Sequence, residues 1–301
     1  MRKIGYLIIS EVVFSGFKSF YCNYIALDTF NDREIVSLVF SKNRAMQLHA
    51  FLESYLENVE NYSSMIVLYK ATNVLHEKSY EDLKKVFKKY PIKFVEENNF
   101  REQLLMEIDS ITAEKLILYV DDMIFSHKVD YEQLLNINHN THQLSLSRGK
   151  DLTYSSVLLK SLELPVFLEK EEGILEFSWN EIKEYSDWSY PLGVSGYLYS
   201  SREFLAMIKT LSFKAPNSLE VELQNFLFLY KDRKGLCYQD VICVCVHANL
   251  VQDEVENPTL ETFSVDELLS IWNEGYKITI SDFYGKPVAI SQEMKYNFEL
   301  R

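Results

Sequence analysis

The chain has 301 residues, 47% of them hydrophobic, enough to bury a sizeable core in one large domain or in one domain with an elaborated C-terminal part. A formal net charge of -13 argues against a nucleic-acid partner, which needs a concentrated Lys/Arg surface to neutralise phosphates. Four cysteines, Cys22, Cys237, Cys243 and Cys245, show no CxxC pair or zinc spacing, so reduced thiols in a cytoplasmic protein are expected.

Met1-Arg2-Lys3 and the apolar run from Gly5 to Phe14 faintly resemble a signal sequence, yet Glu11 interrupts the run, Lys18 closes it, and no small-residue cleavage site follows. Residues 1–34 are therefore expected to be an N-terminal extension packed on the core as a strand or short amphipathic segment, with peripheral contact at the inner face of a membrane left open. From Ile35 onward strand and helix patterns alternate. Ile35 to Phe40 reads as a buried strand, followed by the loop Ser41 to Arg44 and a helix carrying Met46, Leu48, Phe51, Leu52, Tyr55 and Leu56 at helical spacing. Met65 to Tyr69 is a second strand, and Tyr80, Leu83, Val86 and Phe87 mark the helix after it. Ile92 to Val95 is a third strand, and a helix from Phe100 to Ile108 leads to a fourth, Leu116 to Val120.

Alternating units of this kind imply an α/β fold with a mostly parallel sheet and helices on both faces. Ligands in such folds sit at the C-terminal strand ends, so Asn43, Arg44, Glu97, Asn98, Asn99, Asp121 and Asp122 should converge on one crevice. Beyond residue 125 the regularity fades. His142 to Ser147 alternates like a half-buried strand, Thr153 to Ser189 is loop-rich, Gly193 to Tyr199 reads as a strand, and Arg202 to Leu211 as a helix. A further helix follows Pro216, capped by Asn217 or Ser218, and Val241 to Val246 alternates as a strand would. With only 9 Gly and 6 Pro and no linker-like tract, residues 35–301 read as a single domain.

Asp121-Asp122, directly after a buried strand, offers hard oxygen ligands where a divalent cation and a charged ligand could both reach them. The competing account is an ordinary loop start that caps the next element. Arg44, Arg101 and Arg148 are candidate phosphate contacts, Arg101 because it opens a helix whose terminal amides could meet a pyrophosphate. Trp179, Trp188, Tyr190 and Tyr197 could wall a sugar site, although core packing accounts for most aromatics in a chain with 19 Phe and 20 Tyr.

Taken in order, Val36 to Leu48, Tyr119-Val120-Asp121-Asp122-Met123-Ile124-Phe125, Tyr190 to Gly196 and Pro216-Asn217-Ser218-Leu219-Glu220 resemble a little-characterised group of bacterial GT-A-type glycosyltransferases of the family 2 kind, over roughly residues 35–290. The resemblance implies a GT-A, Rossmann-like nucleotide-diphospho-sugar transferase fold with a mixed, mostly parallel sheet flanked by helices. Residues 35–125 would form the nucleotide-binding half and 126–301 the acceptor-binding half. Ser41, Asn43 and Arg44 would contact the nucleotide, with Glu97, Arg101, Asp121 and Arg148 also on the donor. The Asp-Asp pair departs from the family's Asp-X-Asp spacing; by resemblance Asp122 would ligate Mg²⁺ or Mn²⁺ and Asp121 would serve ribose, Lys42 or Arg44. His247 or Asn249 would be a late third ligand, against a structural histidine, and Glu220 the base that deprotonates the acceptor, against ordinary helix-start placement. The implied activity is transfer of a sugar from a nucleotide sugar, a UDP-sugar foremost, to a saccharide or lipid-linked saccharide in surface polysaccharide or lipopolysaccharide synthesis. The loop Ser41 to Arg44 lacks the glycines with which sugar nucleotidyltransferases cradle triphosphate. The alternative reading is a catalytically degenerate module that binds carbohydrate or a partner protein.

Overall fold

The computed structural model of the chain describes residues 11–25, 31–155, 158–170, 173–251, 263–286 and 296–301. In the first strands burial is nearly continuous, and successive side chains alternate between two apolar layers. On β1 (Asn31–Lys42), Val36, Leu38 and Phe40 point into one apolar layer while Ile35 and Val39 point into the other. The strands β2 (Met65–Lys70) and β4 (Ala113–Val120) repeat the division, with Ile66, Leu68, Leu116 and Leu118 on one side and Val67, Tyr69, Ile117 and Tyr119 on the other. A sheet apolar on both faces needs helices on both faces. One layer is covered by α2 (Ala45–Asn58), α3 (Val74–Phe87) and a late helix, Val265–Asn273. The other is covered by α4 (Phe100–Asp109), α6 (Ser201–Thr210) and α7 (Pro216–Leu223), with the short α5 (Tyr131–Leu135) lying between α4 and α6 in the chain.

The sheet has nine strands. With β3 (Ile92–Glu96), β6 (His142–Gly149), β7 (Leu168–Glu169), β8 (Ile174–Ser178), β9 (Tyr197–Ser200) and β10 (Lys234–Tyr238), the order is β7-β8-β10-β6-β9-β4-β1-β2-β3. The half from β4 to β3 is parallel, β9 runs antiparallel to both its neighbours, and β6 and β10 are again parallel. This is the expected α/β sheet, mixed and flanked by helices. A two-stranded ribbon, β5 (Met123–Phe125) antiparallel to β11 (Cys243–Cys245), folds over the strand exits.

Several local expectations change. The N-terminal segment is helical, α1 (Glu11–Ile25), packed on α6 through buried Phe17; residues 1–10 and 26–30 lie outside the described residues. Thr153 to Ser189 contributes β7 and β8 to the main sheet rather than only loop. Gly193 to Gly196 is a turn rather than strand: Gly196, at φ +78, gives its N–H to Leu118 and its carbonyl to Leu146 before pairing begins at Tyr197. The α7 helix starts at Pro216, whose fixed φ suits the first helical position, after Ala215. Ser218 is not the cap but reaches back to accept the N–H groups of Lys214 and Ala215. Among the described residues no helix is long and apolar enough to cross a membrane.

Gly149 ends β6 against the loop that leads to β11. A Cβ there would collide with the backbone of Asp240 and Val241, which cannot swing aside as a side chain can. Gly149→Ala is expected to cost about 1–3 kcal/mol in denaturant unfolding, the usual penalty of overpacking; an unchanged midpoint would contradict the close approach.

Candidate active site

Just past their ends, three parallel strands are pinned to a neighbour by backbone hydrogen bonds. The N–H of Asn43 donates to the Lys70 carbonyl at 3.0 Å, that of Glu97 to Tyr69 at 2.7 Å, and that of Asp121 to Phe40 at 3.1 Å. These bonds hold the strand exits level. Ser41, Glu97, Asp121, Asp122, Arg148, Glu220 and His247 consequently line one cleft of about 740 Å³. A second hollow of about 1030 Å³, around Lys115 and His139, lies at the opposite, N-terminal strand ends, where sheets of this kind do not place ligands.

Arg44 organises one wall. Its guanidinium is 8% exposed and every nitrogen is engaged: Nη1 donates to Asp121 Oδ1 at 3.1 Å and Asp122 Oδ2 at 3.0 Å, Nε to Asn249 Oδ1 at 2.8 Å, and Nη2 to the Asn249 carbonyl at 2.5 Å. The other Asp121 oxygen accepts from Ser41 Oγ at 2.8 Å and from the Lys42 N–H at 3.3 Å. Because Ser41 spends its hydrogen on Asp121, the Tyr80 hydroxyl 2.6 Å away must donate to Ser41, leaving it free to accept the Arg44 N–H at 3.1 Å. Burial pushes the Asp121 carboxyl above the ordinary carboxylate range, Arg44 pulls it back, and Asp122 adds to the rise. One guanidinium against two carboxylates leaves one negative charge at the rim. Asp122, whose side chain is 13% exposed against 4% for Asp121, is the carboxylate open to the cleft.

The residues present are compatible with a divalent cation in one limited way. Among the described residues no group of three or more His, Cys, Asp or Glu is placed to hold a metal ion. Among the described residues Asp122 and His247 line the same cleft and are the pair named for that role from the sequence. That donor set suits an ion that keeps water and takes its remaining positions from bound phosphates, as Mg²⁺ does.

Glu220 lines the same cleft from the second turn of α7. The Val194 N–H donates to its Oε1 at 3.3 Å. Burial pushes its carboxyl up to about 7, against the pull of that N–H and of Arg148. The Cys245 thiol is pushed up by burial, and both Asp122 and Glu220 add to the rise. Tyr190 and Tyr197 flank Glu220, and the Tyr197 hydroxyl donates to the Tyr190 carbonyl at 2.8 Å.

Other residues named from the sequence take different partners. Asn43 adopts a left-handed backbone, φ +58, that turns its side chain to Thr72: Nδ2 donates to Thr72 Oγ1 at 2.8 Å and Oδ1 accepts the Thr72 N–H at 2.9 Å. It does not line the cleft. Arg101 does not either, because its Nε and Nη2 donate to the carbonyls of Leu211 and Lys209 and so satisfy the C-terminal end of α6. Arg44 is in the cleft, but its donors are spent on protein acceptors rather than free for phosphate. Trp188 is fully buried and Trp179 packs edge-on against Phe177 at 4.6 Å, so both belong to the core. Asn249, the alternative to His247 as a late metal ligand, holds Arg44 through its side-chain and main-chain oxygens. Tyr80 and Cys245 carry no sequence signal for their places at the site.

Arg44→Met leaves Asp121 buried without its cation and is expected to cost about 3–5 kcal/mol in equilibrium unfolding. Arg44→Met combined with Asp121→Asn should cost less than the sum of the two, because the second change removes the orphaned charge. Glu220 ionises less readily folded than unfolded, so it destabilises the fold as pH rises from about 4.3, the ordinary glutamate value, to about 7. Glu220→Gln should remove that decline, giving a melting temperature above wild type at pH 8 and near it at pH 4. Parallel pH profiles would contradict the raised carboxyl.

No protein-family model matches the chain. A curated protein, the bifunctional glycosyltransferase pgtA of Dictyostelium discoideum, is 23% identical over 277 residues, 79% of this chain, and the chain spans 35% of that relative's length. Among solved structures, TarS of S. aureus is similar at 14% identity over 69% of this chain and 35% of its own, with a TM-score of 0.43. The mannosyltransferase PcManGT of Pyrobaculum calidifontis, in complex with GDP-Man and Mn²⁺, is similar at 12% identity over 80% of this chain and 68% of its own, with a TM-score of 0.40. TM-scores below 0.5 leave the fold resting on the sheet order itself. Over most of its length the chain is thus similar in sequence to part of a glycosyltransferase.

Proposed function

We propose that the protein is a glycosyltransferase that moves a sugar from a nucleotide sugar, a UDP-sugar in the first instance, to a hydroxyl of a saccharide or lipid-linked saccharide used in cell-surface glycan synthesis. The observation that carries this reading is the presence of two unlike carboxylates in one cleft: Asp122, ion-paired and at the rim, and Glu220, half-buried and raised to about 7 by desolvation. Sequence similarity to a glycosyltransferase supports it.

In this reading residues 35–125 hold the nucleotide and 126–301 the acceptor. Asp122, with His247, would hold Mg²⁺ or Mn²⁺, which when bound supplies positive charge against the departing diphosphate. Asp121 and Arg44 keep Asp122 in place. The Glu220 carboxylate takes the proton of the acceptor hydroxyl as that oxygen bonds to the anomeric carbon, and the diphosphate leaves with the electron pair of the broken C–O bond. Displacement from the opposite face inverts the anomeric configuration. A pKa near the working pH suits a base that must be ionised before transfer and protonated after it. One observation favours a metal-independent variant as the second reading: Arg44 already contacts both carboxylates.

A thermal-shift panel of UDP, GDP, CMP and dTDP, each with Mn²⁺ or EDTA, tests the donor site. A nucleotide at a hundredfold over its Kd stabilises by about 2.7 kcal/mol, a shift of several degrees. The expected result is a shift with one nucleotide that needs Mn²⁺ and disappears in Asp122→Ala. Glu220→Gln should keep the shift while transfer falls about 100-fold or more. A shift that survives EDTA would select the metal-independent reading, and no shift with any nucleotide would contradict a donor site.

A further inference from the structure

The two arginines of the cleft keep different company. Arg44 acts with Asp121 and Asp122, whereas the carboxylates acting on Arg148 are Asp187 and Glu220. The two arginines differ in how they are satisfied. Arg44 has its charge matched by direct ion pairs. Arg148 gives Nε to the Asp187 carbonyl at 3.1 Å and Nη1 to the Ser147 carbonyl at 3.3 Å and Oγ at 3.4 Å, and its guanidinium lies over the Tyr197 ring at 5.7 Å. Among the described residues no carboxylate forms a salt bridge with it. Carbonyl bonds orient a guanidinium without cancelling its charge. A cation walled into a cleft and left without a direct counter-ion favours an anionic ligand.

We infer that Arg148 recognises a carboxylate or phosphate carried by the acceptor saccharide, on the Glu220 side of the cleft and separate from the donor's diphosphate. This rests on the glycosyl-transfer reading. The Asp187–Ser189 turn, whose Asp187 carbonyl fixes the Arg148 fork, would set the distance between that anion and the hydroxyl presented to Glu220. Acceptors lacking the anion would bind weakly, because they would forgo a charge-assisted bond to Arg148.

The test uses the full chain and three probes, methyl glucuronide, methyl glucoside 6-phosphate and uncharged methyl glucoside, titrated by isothermal calorimetry into wild type, Arg148→Gln and Arg148→Lys, with folding checked by melting. The expected result is that one charged probe binds wild type about ten- to hundredfold more tightly than methyl glucoside, the range of a charge-assisted hydrogen bond. Whether the glucuronide or the phosphate is preferred identifies the anion. Arg148→Gln should lose the preference and Arg148→Lys keep part of it, while nucleotide-induced stabilisation stays unchanged in both. Equal binding of charged and neutral probes, no binding of any probe to wild type, or a preference that persists in Arg148→Gln would overturn the inference. Loss of nucleotide stabilisation in Arg148→Gln would also overturn it, by putting Arg148 on the donor phosphates. If no nucleotide stabilises wild type but the charged probe is still preferred, the glycosyl-transfer reading fails and the Arg148 anion site stands.

Discussion

The Arg44 guanidinium joins three parts of the chain that are far apart in sequence: its own loop after β1, the acid pair after β4, and Asn249 beyond β11. Two adjacent aspartates at the end of a buried strand repel each other and resist desolvation, so the strand exit could not close without a cation set between them. Arg44 meets that need with a planar fork of donors, and the carbonyl and amide of Asn249 take the donors the acids leave. Lysine would bring a point charge without the second pair of directed bonds. The same bonds draw the segment after β11 across the strand ends, where Lys42 adds a further tie to the Val251 carbonyl at 2.9 Å. The cleft has its back wall because this ion cluster holds.

Electrostatic asymmetry then separates roles among carboxylates of similar intrinsic acidity. Asp121 is held by Ser41, the Lys42 amide and Arg44, so both of its oxygens already have partners in the protein. Asp122 shares Arg44 but keeps access to the cleft, so it carries the uncompensated charge. Glu220 receives one weak backbone hydrogen bond, and its burial outweighs the pull of Arg148. In the proposed function these environments make one carboxylate structural, one a place for a cation, and one a group that exchanges protons near neutrality.

The parallel half of the sheet was legible because its strands obey a strong rule: apolar on both faces, β-branched or aromatic, and followed by amphipathic helices. The crevice followed from that topology, and Asp121-Asp122 was visible as the acid pair at a strand exit. Other features lie beyond local pattern. The β10 strand contains Gly235, which reads as a breaker, yet glycine is required because the Phe177 ring packs where a Cβ would be. The insertion of antiparallel β9 between β4 and β6 is a long-range pairing that no window of residues encodes. The directions of Asn43 and Arg101 depended on a left-handed turn and on orphaned helix carbonyls, neither of which residue type reveals. Glu220 stood out only through the resemblance, since a glutamate early in a helix is ordinary.

The account's central claim is that the cleft between Asp122 and Glu220, rather than the larger hollow at the other end of the sheet, holds the nucleotide and its metal. Paramagnetic broadening of amide resonances by substoichiometric Mn²⁺, recorded with and without UDP or GDP, locates the ion directly. The account predicts nucleotide-dependent broadening centred on Asp122, Cys245 and His247, with Lys115 and His139 unaffected. Broadening centred on Lys115 and His139, or none near Asp122 with any nucleotide, would contradict it.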